Sequence, residues 1–149
     1  MKYSVSSRKH SILTPLKNGS SARSPALDSN GSINMAGVGI DIVEVARFRS
    51  LCTKKGRTSQ FVHRVFSDEE QSYCFAFKDP APHLAGMFAA KEAIQKALDQ
   101  FTTPLTQVEV RHKKSGKPEI WLRGKRAKHI LISISHTKST ACAAAFATR

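Results

Sequence analysis

The stretch LAGMFAAKEAIQKAL, residues 84–98, carries the clearest helical pattern in the chain, and the rest of the fold can be worked out around it. Its apolar residues recur at spacings of three and four, which predicts an amphipathic helix from about residue 83 to about residue 98. Three charged residues, Lys91, Glu92 and Lys96, interrupt the apolar pattern. The predicted core stripe comprises Leu84, Met87, Ala90, Ile94 and Leu98.

Glu92 and Lys96 have two interpretations. As an i, i+4 pair with the acid first, they would stabilise a surface helix by roughly 0.2–0.5 kcal/mol. Local physics favours this interpretation, because surface pairs of this kind are common. Alternatively, the carboxylate holds Mg²⁺ and the ammonium contacts phosphate oxygens that the metal leaves exposed. The second interpretation describes a pyrophosphate site.

Asp41 stands in the middle of GVGIDIVEVARF, residues 37–48, which predicts a strand running into a helix. Strand alternation separates Asp41 from Ile40 and Ile42, which lie on the opposite face. If the face of Asp41 is exposed to solvent, the carboxylate needs no further role. In the alternative, Asp41 is a hard oxygen ligand, and with Glu92 it gives Mg²⁺ the one or two protein carboxylates that this ion usually takes.

His136 follows the apolar and small residues ISIS at the end of a predicted strand. Functional side chains often emerge at such positions, although a simple turn histidine is equally compatible with the pattern. The other histidines form no spacing typical of metal ligands, so the sequence predicts no site at them. They are His10, His63, His83, His112 and His129.

The segments around the long helix predict an α+β fold with a small antiparallel sheet packed with helices. The motif SDEE at residues 67–70 predicts a capping box for a further helix, which ends before the prolines at residues 79–82. Residues 140–147 form a short apolar run expected to pair back on the strand before it. Earlier strands are predicted at residues 108–111, 119–122 and 130–135.

Residues 1–34 differ in composition from the rest of the chain. They contain nine serines and five lysines or arginines but only one acid, Asp28, and they have no sustained apolar period. We therefore expect a disordered basic Ser-rich extension over residues 1–34 and a single folded domain over residues 35–149. An organelle transit peptide is the alternative for the extension, and a cytoplasmic protein is favoured.

The formal net charge of +13 predicts attraction to polyanions such as nucleic acids, phosphorylated cofactors or acidic proteins. Aromatic residues make up only 7% of the chain and do not interleave with the lysines, so a stacking surface for nucleic acid is not predicted. The three cysteines, Cys52, Cys74 and Cys142, lack CxxC spacing and fit a reduced compartment. No apolar run reaches the roughly 20 residues that a membrane helix requires, so no membrane partner is expected.

These elements, in this order, resemble holo-(acyl-carrier-protein) synthase, the small bacterial type of 4'-phosphopantetheinyl transferase. The resemblance covers nearly all of residues 37–149, and the paired GxGIDxxxxxR and AAKEAxxKA blocks are its most specific part. No resemblance covers the extension. The matching segments are GVGIDIVEVARF at 37–48, RVFSDEE at 64–70, LAGMFAAKEAIQKAL at 84–98, VEV at 108–110, SGKPEI at 115–120 and ISISHT at 132–137.

The resemblance implies an Mg²⁺-dependent transferase of fatty acid biosynthesis. Such an enzyme moves the 4'-phosphopantetheine arm of coenzyme A to a serine of apo acyl carrier protein and releases adenosine 3',5'-bisphosphate. By position, Asp41 and Glu92 resemble the metal ligands, and Lys96 and His136 resemble residues that bind coenzyme A. Glu92 and Lys96 are thereby the implied catalytic residues, with either Glu92 or a metal-bound water as the general base. Arg47 resembles the arginine that contacts the acidic carrier protein, and the family implies a homotrimer.

The chain departs from the family pattern on both sides of the AAKEA block. Met87 stands where the family usually has an aromatic residue or arginine, so a basic contact to the nucleotide is absent at this position. Asp99 and Gln100 replace glycines that commonly follow the helix, and aspartate resists backbone conformations that glycine permits. These departures leave a catalytically weak scaffold that binds carrier protein as one alternative function. A small basic nucleic-acid-binding protein is the other.

Overall fold

The computed structural model describes residues 35–52 and 59–148, and the extension predicted over residues 1–34 lies outside the described residues. The order of elements, one strand, then helices, then strands, confirms the α+β class. The helices are α1 (Val45–Arg49), α2 (Gln60–Val65), α3 (Asp68–Phe75) and α4 (Ala81–Leu98), followed by a 3₁₀ turn at Leu105–Gln107. The strands are β1 (Met35–Glu44), β2 (Val108–His112), β3 (Pro118–Leu122), β4 (Lys125–Arg126), β5 (Ile130–His136) and β6 (Thr140–Thr148).

The strands form two antiparallel sheets of three strands each. One sheet has the order β1-β6-β5, and the other has the order β2-β3-β4. Strand β6 turns back on β5 as predicted, with His136 opposite Ala141, and it also pairs with β1, where Asp41 lies opposite Ala143. The last strand is therefore the centre of its sheet, and β1 and β5 are the two edges.

Helix α4 forms the centre of the core, with the β1-β6-β5 sheet, the β2-β3 hairpin and two other helices packed around it. The predicted stripe is buried from Leu84 to Ile94, but small residues bury the remaining sides of the helix as well. Ala89, Ala93 and Ala97 are at most 6% exposed, because alanine lets neighbouring backbones come close. None of the helices in residues 35–52 and 59–148 is long and apolar enough to cross a membrane.

Two glycines allow β1 to lie directly on α4. A Cβ atom added at Gly37 would come within 2.1 Å of the Ala97 carbonyl oxygen, and one at Gly39 within 2.0 Å of the Ala93 carbonyl oxygen. Real side chains do not tolerate such distances, so only glycine permits this packing. The close approach brings the residues that follow Gly39 next to the second half of α4.

The face of β1 that carries Asp41 packs against the core, and the face that carries Ile40 and Ile42 is exposed to solvent. Gly39, Asp41 and Val43 turn toward α4, whereas Ile40 and Ile42 face outward and are 65% and 71% exposed. The alternative in which Asp41 merely solvates an outer face is therefore wrong. The alternation itself is correct, but strand periodicity cannot tell which face the rest of the chain covers.

The capping box predicted at SDEE is confirmed and is part of a buried polar network. The Ser67 hydroxyl accepts a hydrogen bond from the Glu70 backbone N–H, and the Glu70 carboxylate accepts one from the Ser67 N–H. The same carboxylate lies 2.7 Å from Lys91 Nζ, with both side chains 0% exposed, and accepts a hydrogen bond from the Val110 N–H. Lys91 also donates to the Leu105 and Val108 carbonyl oxygens. Lys91 therefore joins α3, α4 and β2 instead of solvating the helix.

Candidate active site

Asp41 and Lys96 meet at the junction of β1 and α4. Lys96 Nζ lies 2.9 Å from Asp41 Oδ1 and donates a hydrogen bond of 3.0 Å to the Ile40 carbonyl oxygen. The Asp41 side chain is 16% exposed and that of Lys96 is 39% exposed, so the ammonium group remains accessible. The ion pair of Lys96 thus joins two elements that are 55 residues apart in sequence, and it is not an ordinary pair along one helix surface.

Glu92 is half-buried on α4, one turn before Lys96. Burial raises the pKa of the Glu92 carboxyl group, the negative charge of Asp41 raises it further, and the positive charge of Lys96 opposes both effects. These influences require the three charged groups to lie near one another. The structure therefore brings Asp41, Glu92 and Lys96 together, although Asp41 is far from the other two in sequence.

The two carboxylates fit a hard divalent cation. Both Asp41 and Glu92 lie near the Lys96 ammonium group, and the pKa of Glu92 is raised by burial first and by the charge of Asp41 second. The described part of the chain contains no group of three or more His, Cys, Asp or Glu placed to hold a metal. A cation here would therefore take its other ligands from water or substrate oxygens, which is the coordination that Mg²⁺ prefers.

His136, at the end of β5, lies at the edge of a cavity of about 330 Å³. Gly86 and Met87 of α4 line this cavity, together with Pro118 of β3 and Ile134 of β5. Met87 precedes Glu92 by five residues, which is about 8 Å along a helix axis. Five residues also correspond to about 140° around a helix, and none of Asp41, Glu92 and Lys96 lines the cavity, so the cavity and the carboxylates lie on different sides of α4.

Three further residues of this cavity, Tyr73, His83 and His112, were not predicted. The Tyr73 and His112 rings stack with centroids 4.1 Å apart, and the His83 ring stacks on Phe77 at 3.6 Å. Ligand spacing along the chain could not identify them, because they come from α3, α4 and β2. The available signal was position, since His112 and His136 both end strands, where side chains commonly reach a site.

Arg47 lies on α1 and its side chain is exposed. Among the described residues it has no ion-pair partner, whereas its neighbour Arg49 lies 2.8 Å from Asp79. Arg47 is the third residue of α1, the helix that directly follows the strand carrying Asp41. It is a cation available to an acidic partner.

The two departures from the family pattern have different outcomes. Met87 is buried, only 2% exposed, and it places an apolar thioether against the cavity and 3.6 Å from the Cys74 sulfur atom. Asp99 adopts the left-handed backbone conformation, with φ of 54° and ψ of 40°, and ends α4. The turn that glycine commonly forms is therefore present, and aspartate adopts it at a cost in backbone energy.

Comparisons with known proteins agree with the geometry. Residues 37–146 match the family model of the 4'-phosphopantetheinyl transferase superfamily. Holo-(acyl-carrier-protein) synthase of Thermodesulfovibrio yellowstonii is 45% identical over 108 residues, which cover 72% of this chain and 93% of that relative. The corresponding protein of Chlorobaculum parvum is 40% identical over 112 residues, covering 72% of this chain and 94% of the relative.

Solved structures show the same fold. A holo-(acyl-carrier-protein) synthase from Bacillus anthracis, solved in complex with CoA (3',5'-ADP), matches with a TM-score of 0.64 and 30% identity, covering 76% of this chain and 96% of that one. The Helicobacter pylori synthase, solved in complex with coenzyme A, matches with a TM-score of 0.60 and 30% identity, covering 75% of this chain and 99% of that one.

Proposed function

The chain belongs to the 4'-phosphopantetheinyl transferase superfamily, and from this premise we propose that it is a holo-(acyl-carrier-protein) synthase. It transfers the 4'-phosphopantetheine moiety of coenzyme A to a serine of apo acyl carrier protein and releases adenosine 3',5'-bisphosphate. The observation that carries this proposal is the cluster of Asp41, Glu92 and Lys96 at the junction of β1 and α4, where two carboxylates and an accessible ammonium group suit a pyrophosphate.

Coenzyme A binds with its pyrophosphate at the charged site formed by Asp41, Glu92 and Lys96. Its nucleotide occupies the cavity beside His136 and Met87. Lys96 has two roles at the charged site. Its hydrogen bond to the Ile40 carbonyl oxygen and its ion pair with Asp41 hold the ammonium group in place, and its exposed side contacts phosphate oxygens.

Asp41 and Glu92 are the residues that would hold Mg²⁺, and the bound cation would neutralise charge that develops on the phosphoryl oxygens. A general base must lie within reach of the serine hydroxyl, and Glu92 is a carboxylate of the charged site. Glu92 is therefore one candidate for the base that takes the proton of the carrier serine. A metal-bound water is the alternative.

Arg47 contacts the acidic carrier protein, because it is an exposed cation without an ion-pair partner among the described residues. Reversing its charge with Arg47→Glu should raise the KM for apo carrier protein about tenfold, the effect of about 1.4 kcal/mol, and leave the KM for coenzyme A unchanged. Lys128→Glu, on the turn before β5, is the matched control. Equal effects of the two substitutions on the carrier KM would remove Arg47 from the interface.

The protein forms a homotrimer through the outer face of the β1-β6-β5 sheet. This face carries large apolar side chains that a monomer would leave in water, which marks an interaction surface. Val38 of β1 and Leu131 of β5 both lie opposite Phe146 of the central strand β6. These three side chains are 51%, 52% and 40% exposed, in that order. A closed assembly would cover this face with copies of itself and hold active sites between subunits. We place the assembled enzyme in the cytoplasm.

The transfer assay tests the proposed function. The protein is incubated with coenzyme A, Mg²⁺ and apo acyl carrier protein, and the carrier is weighed by mass spectrometry. We expect the mass gain of a phosphopantetheine arm, and no gain on any of several carriers would contradict the proposal. Retained carrier binding without transfer would instead support the scaffold alternative.

Two substitutions test the metal ligands separately. Asp41→Ala and Glu92→Ala should each lower Mg²⁺-dependent turnover by at least about a hundredfold, the loss typical of a removed charge-stabilising group. Circular dichroism should show the fold unchanged in both variants. A variant with the wild-type rate would remove its residue from the metal site.

A nucleic-acid-binding function is tested by titration with DNA and RNA at several salt concentrations. The proposed function predicts weak binding that disappears at moderate salt, as expected of a basic protein without base contacts. Affinity that persists at moderate salt would favour the alternative.

A further inference from the structure

Three imidazole rings from three different elements line the cavity in which the proposed function places the nucleotide. They are His83 of α4, His112 at the end of β2 and His136 at the end of β5. The centroids of the His83 and His136 rings are 5.1 Å apart, with an angle of 72° between the ring planes. Phe77 and Tyr73 hold His83 and His112 by stacking. Stacking thus holds two of the three rings in place, and all three line the cavity.

The lining of this cavity contains no lysine and no arginine, as far as the structure describes it. Met87, the position at which the family usually places arginine or an aromatic residue, contributes an apolar side chain. The nucleotide end of coenzyme A carries phosphate groups, which need positive charge or hydrogen-bond donors in a partly buried site. Imidazoles are the groups in this lining that can gain a positive charge near neutral pH.

The surroundings of His83 disfavour the charged form of its ring. Burial lowers its pKa, and the neighbouring His136 and His112 lower it as well, whereas the Asp79 carboxylate opposes this. Tyr73, which is a neutral phenol at these pH values, faces the ring from α3 at a centroid distance of 6.3 Å. Burial also lowers the pKa of His112, whose Nδ1 atom has no hydrogen-bond partner among the described residues. A bound phosphate group would supply a negative charge that stabilises the protonated form of these rings.

We propose that His83 is a further binding residue for coenzyme A, and that with His136 it binds the nucleotide phosphates in its protonated form. The inference rests on the proposed function, because it requires the nucleotide in this cavity. It assigns to two histidines the contact that Met87 cannot make. Nucleotide affinity in this enzyme then depends on pH, unlike a site that binds phosphate with arginine, which stays charged.

The direction of the pH dependence follows from linkage. A bound anion raises the pKa of His83 above its value in the empty cavity. Binding is therefore accompanied by proton uptake when the pH of the solution lies between these two pKa values. Affinity should therefore increase as the pH falls through the bound-state pKa, and level off below the pKa of the empty cavity. For one proton the increase is at most about tenfold per pH unit.

The test is calorimetric binding of adenosine 3',5'-bisphosphate to the full chain from about pH 5.5 to about pH 8.5. Wild type is compared with His83→Phe, which keeps a ring to stack on Phe77 but cannot titrate. His129→Phe is the matched control, because His129 is an exposed histidine outside the cavity. Each titration is repeated in two buffers of different ionisation enthalpy, which measures proton uptake directly. Titration of the ligand's own phosphates is the same for every variant and cancels in the ratio of dissociation constants.

We expect wild type and His129→Phe to take up protons on binding, and His83→Phe to take up fewer. The ratio of the His83→Phe Kd to the wild-type Kd should be near one at the high end of the range. It should rise to about threefold to tenfold at the low end, the range that one linked proton allows. A ratio that is constant with pH, or no proton uptake by wild type beyond that of the free ligand, would overturn the inference.

Failure of the inference is distinguishable from failure of the proposed function. A protein that transfers phosphopantetheine but shows no His83-dependent proton uptake retains the function and loses the inference. If the His83→Phe protein does not fold, the proton uptake of wild type still tests whether binding protonates the cavity, and a second variant must assign the proton to His83. His83→Gln provides a second variant and should show the same flattened pH dependence.

Discussion

At the scale of single residues, α4 carries two lysines with different surroundings. Lys91 is 0% exposed and bonded to Glu70 and to two backbone carbonyl oxygens, whereas Lys96 is 39% exposed and paired with Asp41. The five residues between them correspond to about 140° around a helix, so they face different parts of the molecule. Composition does not distinguish the two lysines, and only their neighbours show that one is buried in the core and the other is accessible.

The Lys91–Glu70 pair predicts a large loss of stability when one partner is removed. Lys91→Met would leave the Glu70 carboxylate buried without its counter-charge, which should lower the free energy of unfolding by about 3–5 kcal/mol. Glu70→Gln should cost less, because its amide keeps an oxygen that can accept from the Val110 N–H. Urea unfolding monitored by circular dichroism measures both variants.

The double variant Glu70→Gln/Lys91→Met completes this cycle. Its loss should be smaller than the sum of the two single losses, because no unpaired charge remains in the core. Additive losses would show that the two side chains stabilise the fold independently, contrary to the prediction.

At the scale of elements, the contact between β1 and α4 builds the charged site. Gly39 permits the strand to lie on the Ala93 carbonyl oxygen, and Asp41, two residues later on the same face, then reaches Lys96. The glycine of the GxGID motif is therefore required for packing. Its contribution to the site is indirect, through the position of the strand.

Gly39→Ala should destabilise the protein strongly. The added Cβ atom would lie 2.0 Å from the Ala93 carbonyl oxygen, and neither backbone can move away without disturbing the sheet. Overpacking of this kind typically costs about 1–3 kcal/mol and occasionally more, and we expect the upper end of this range. Gly86→Ala is the graded control, because its Cβ atom would lie 3.1 Å from a side-chain methyl group of Ile134 that can shift. Thermal unfolding should show a clearly lower Tm for Gly39→Ala, and equal Tm values would contradict this explanation.

The end of α4 predicts a stabilising substitution. Asp99 has a φ of 54°, which costs an L-residue about 1–2 kcal/mol and costs glycine little. Because Asp99 is exposed, Asp99→Gly removes little packing and should raise the free energy of unfolding by about 0.5–1 kcal/mol. Gln100→Gly is the control: Gln100 has no positive φ, so added backbone freedom in the unfolded chain should destabilise it. Denaturant titration compares both with wild type, and a loss of stability in Asp99→Gly would refute the account.

At the scale of the whole molecule, the outer face of the β1-β6-β5 sheet is the largest feature that a monomer leaves unexplained. Ile40 and Ile42 are more than half exposed, and Phe146 lies beside them on the central strand. An isolated chain would keep such a face in water at a cost that burial against other copies removes. The proposed trimer gives these residues a partner.

Ile40→Lys should dissociate the trimer. Three copies of the new charge would be buried in an apolar interface, so light scattering after size exclusion should show a monomer. Gln60→Lys adds the same charge at an exposed position on α2 and should leave the trimer intact. An Ile40→Lys protein with the wild-type mass would place the interface elsewhere.

Thiol labelling checks the same interface in the wild-type protein. Cys142 is exposed on the outer face, whereas burial raises the pKa of Cys74 to about 12 and makes that thiol unreactive. Cys142 should react slowly in the trimer and quickly in Ile40→Lys, while Cys74 stays protected in both. Fast reaction of Cys142 in the wild-type protein would argue against a covered face.

Much of the fold could be predicted because the signals are local. The period of residues 84–98 and the capping box at Ser67 each depend on neighbours a few positions away. Helix α2 and strand β4 were not predicted, because they are short and have little periodicity of their own. The alternative in which the Asp41 face of β1 is exposed to solvent was wrong. Alternation along a strand defines two faces but does not show which of them the rest of the chain covers.

The candidate site also contains residues that the sequence predicted and residues that only the structure revealed. Asp41, Glu92, Lys96 and Arg47 stand in motifs that the sequence contains, and the family resemblance of those motifs implied their roles. His83, His112 and Tyr73 stand in no motif, and they share a cavity only because α3, α4 and β2 converge there. The sequence by itself therefore determined the α+β class and the residues of the charged site. Only the tertiary structure decided that Lys91 is buried, that Asp41 faces Lys96 and that three histidines line one cavity, because these contacts join residues distant along the chain.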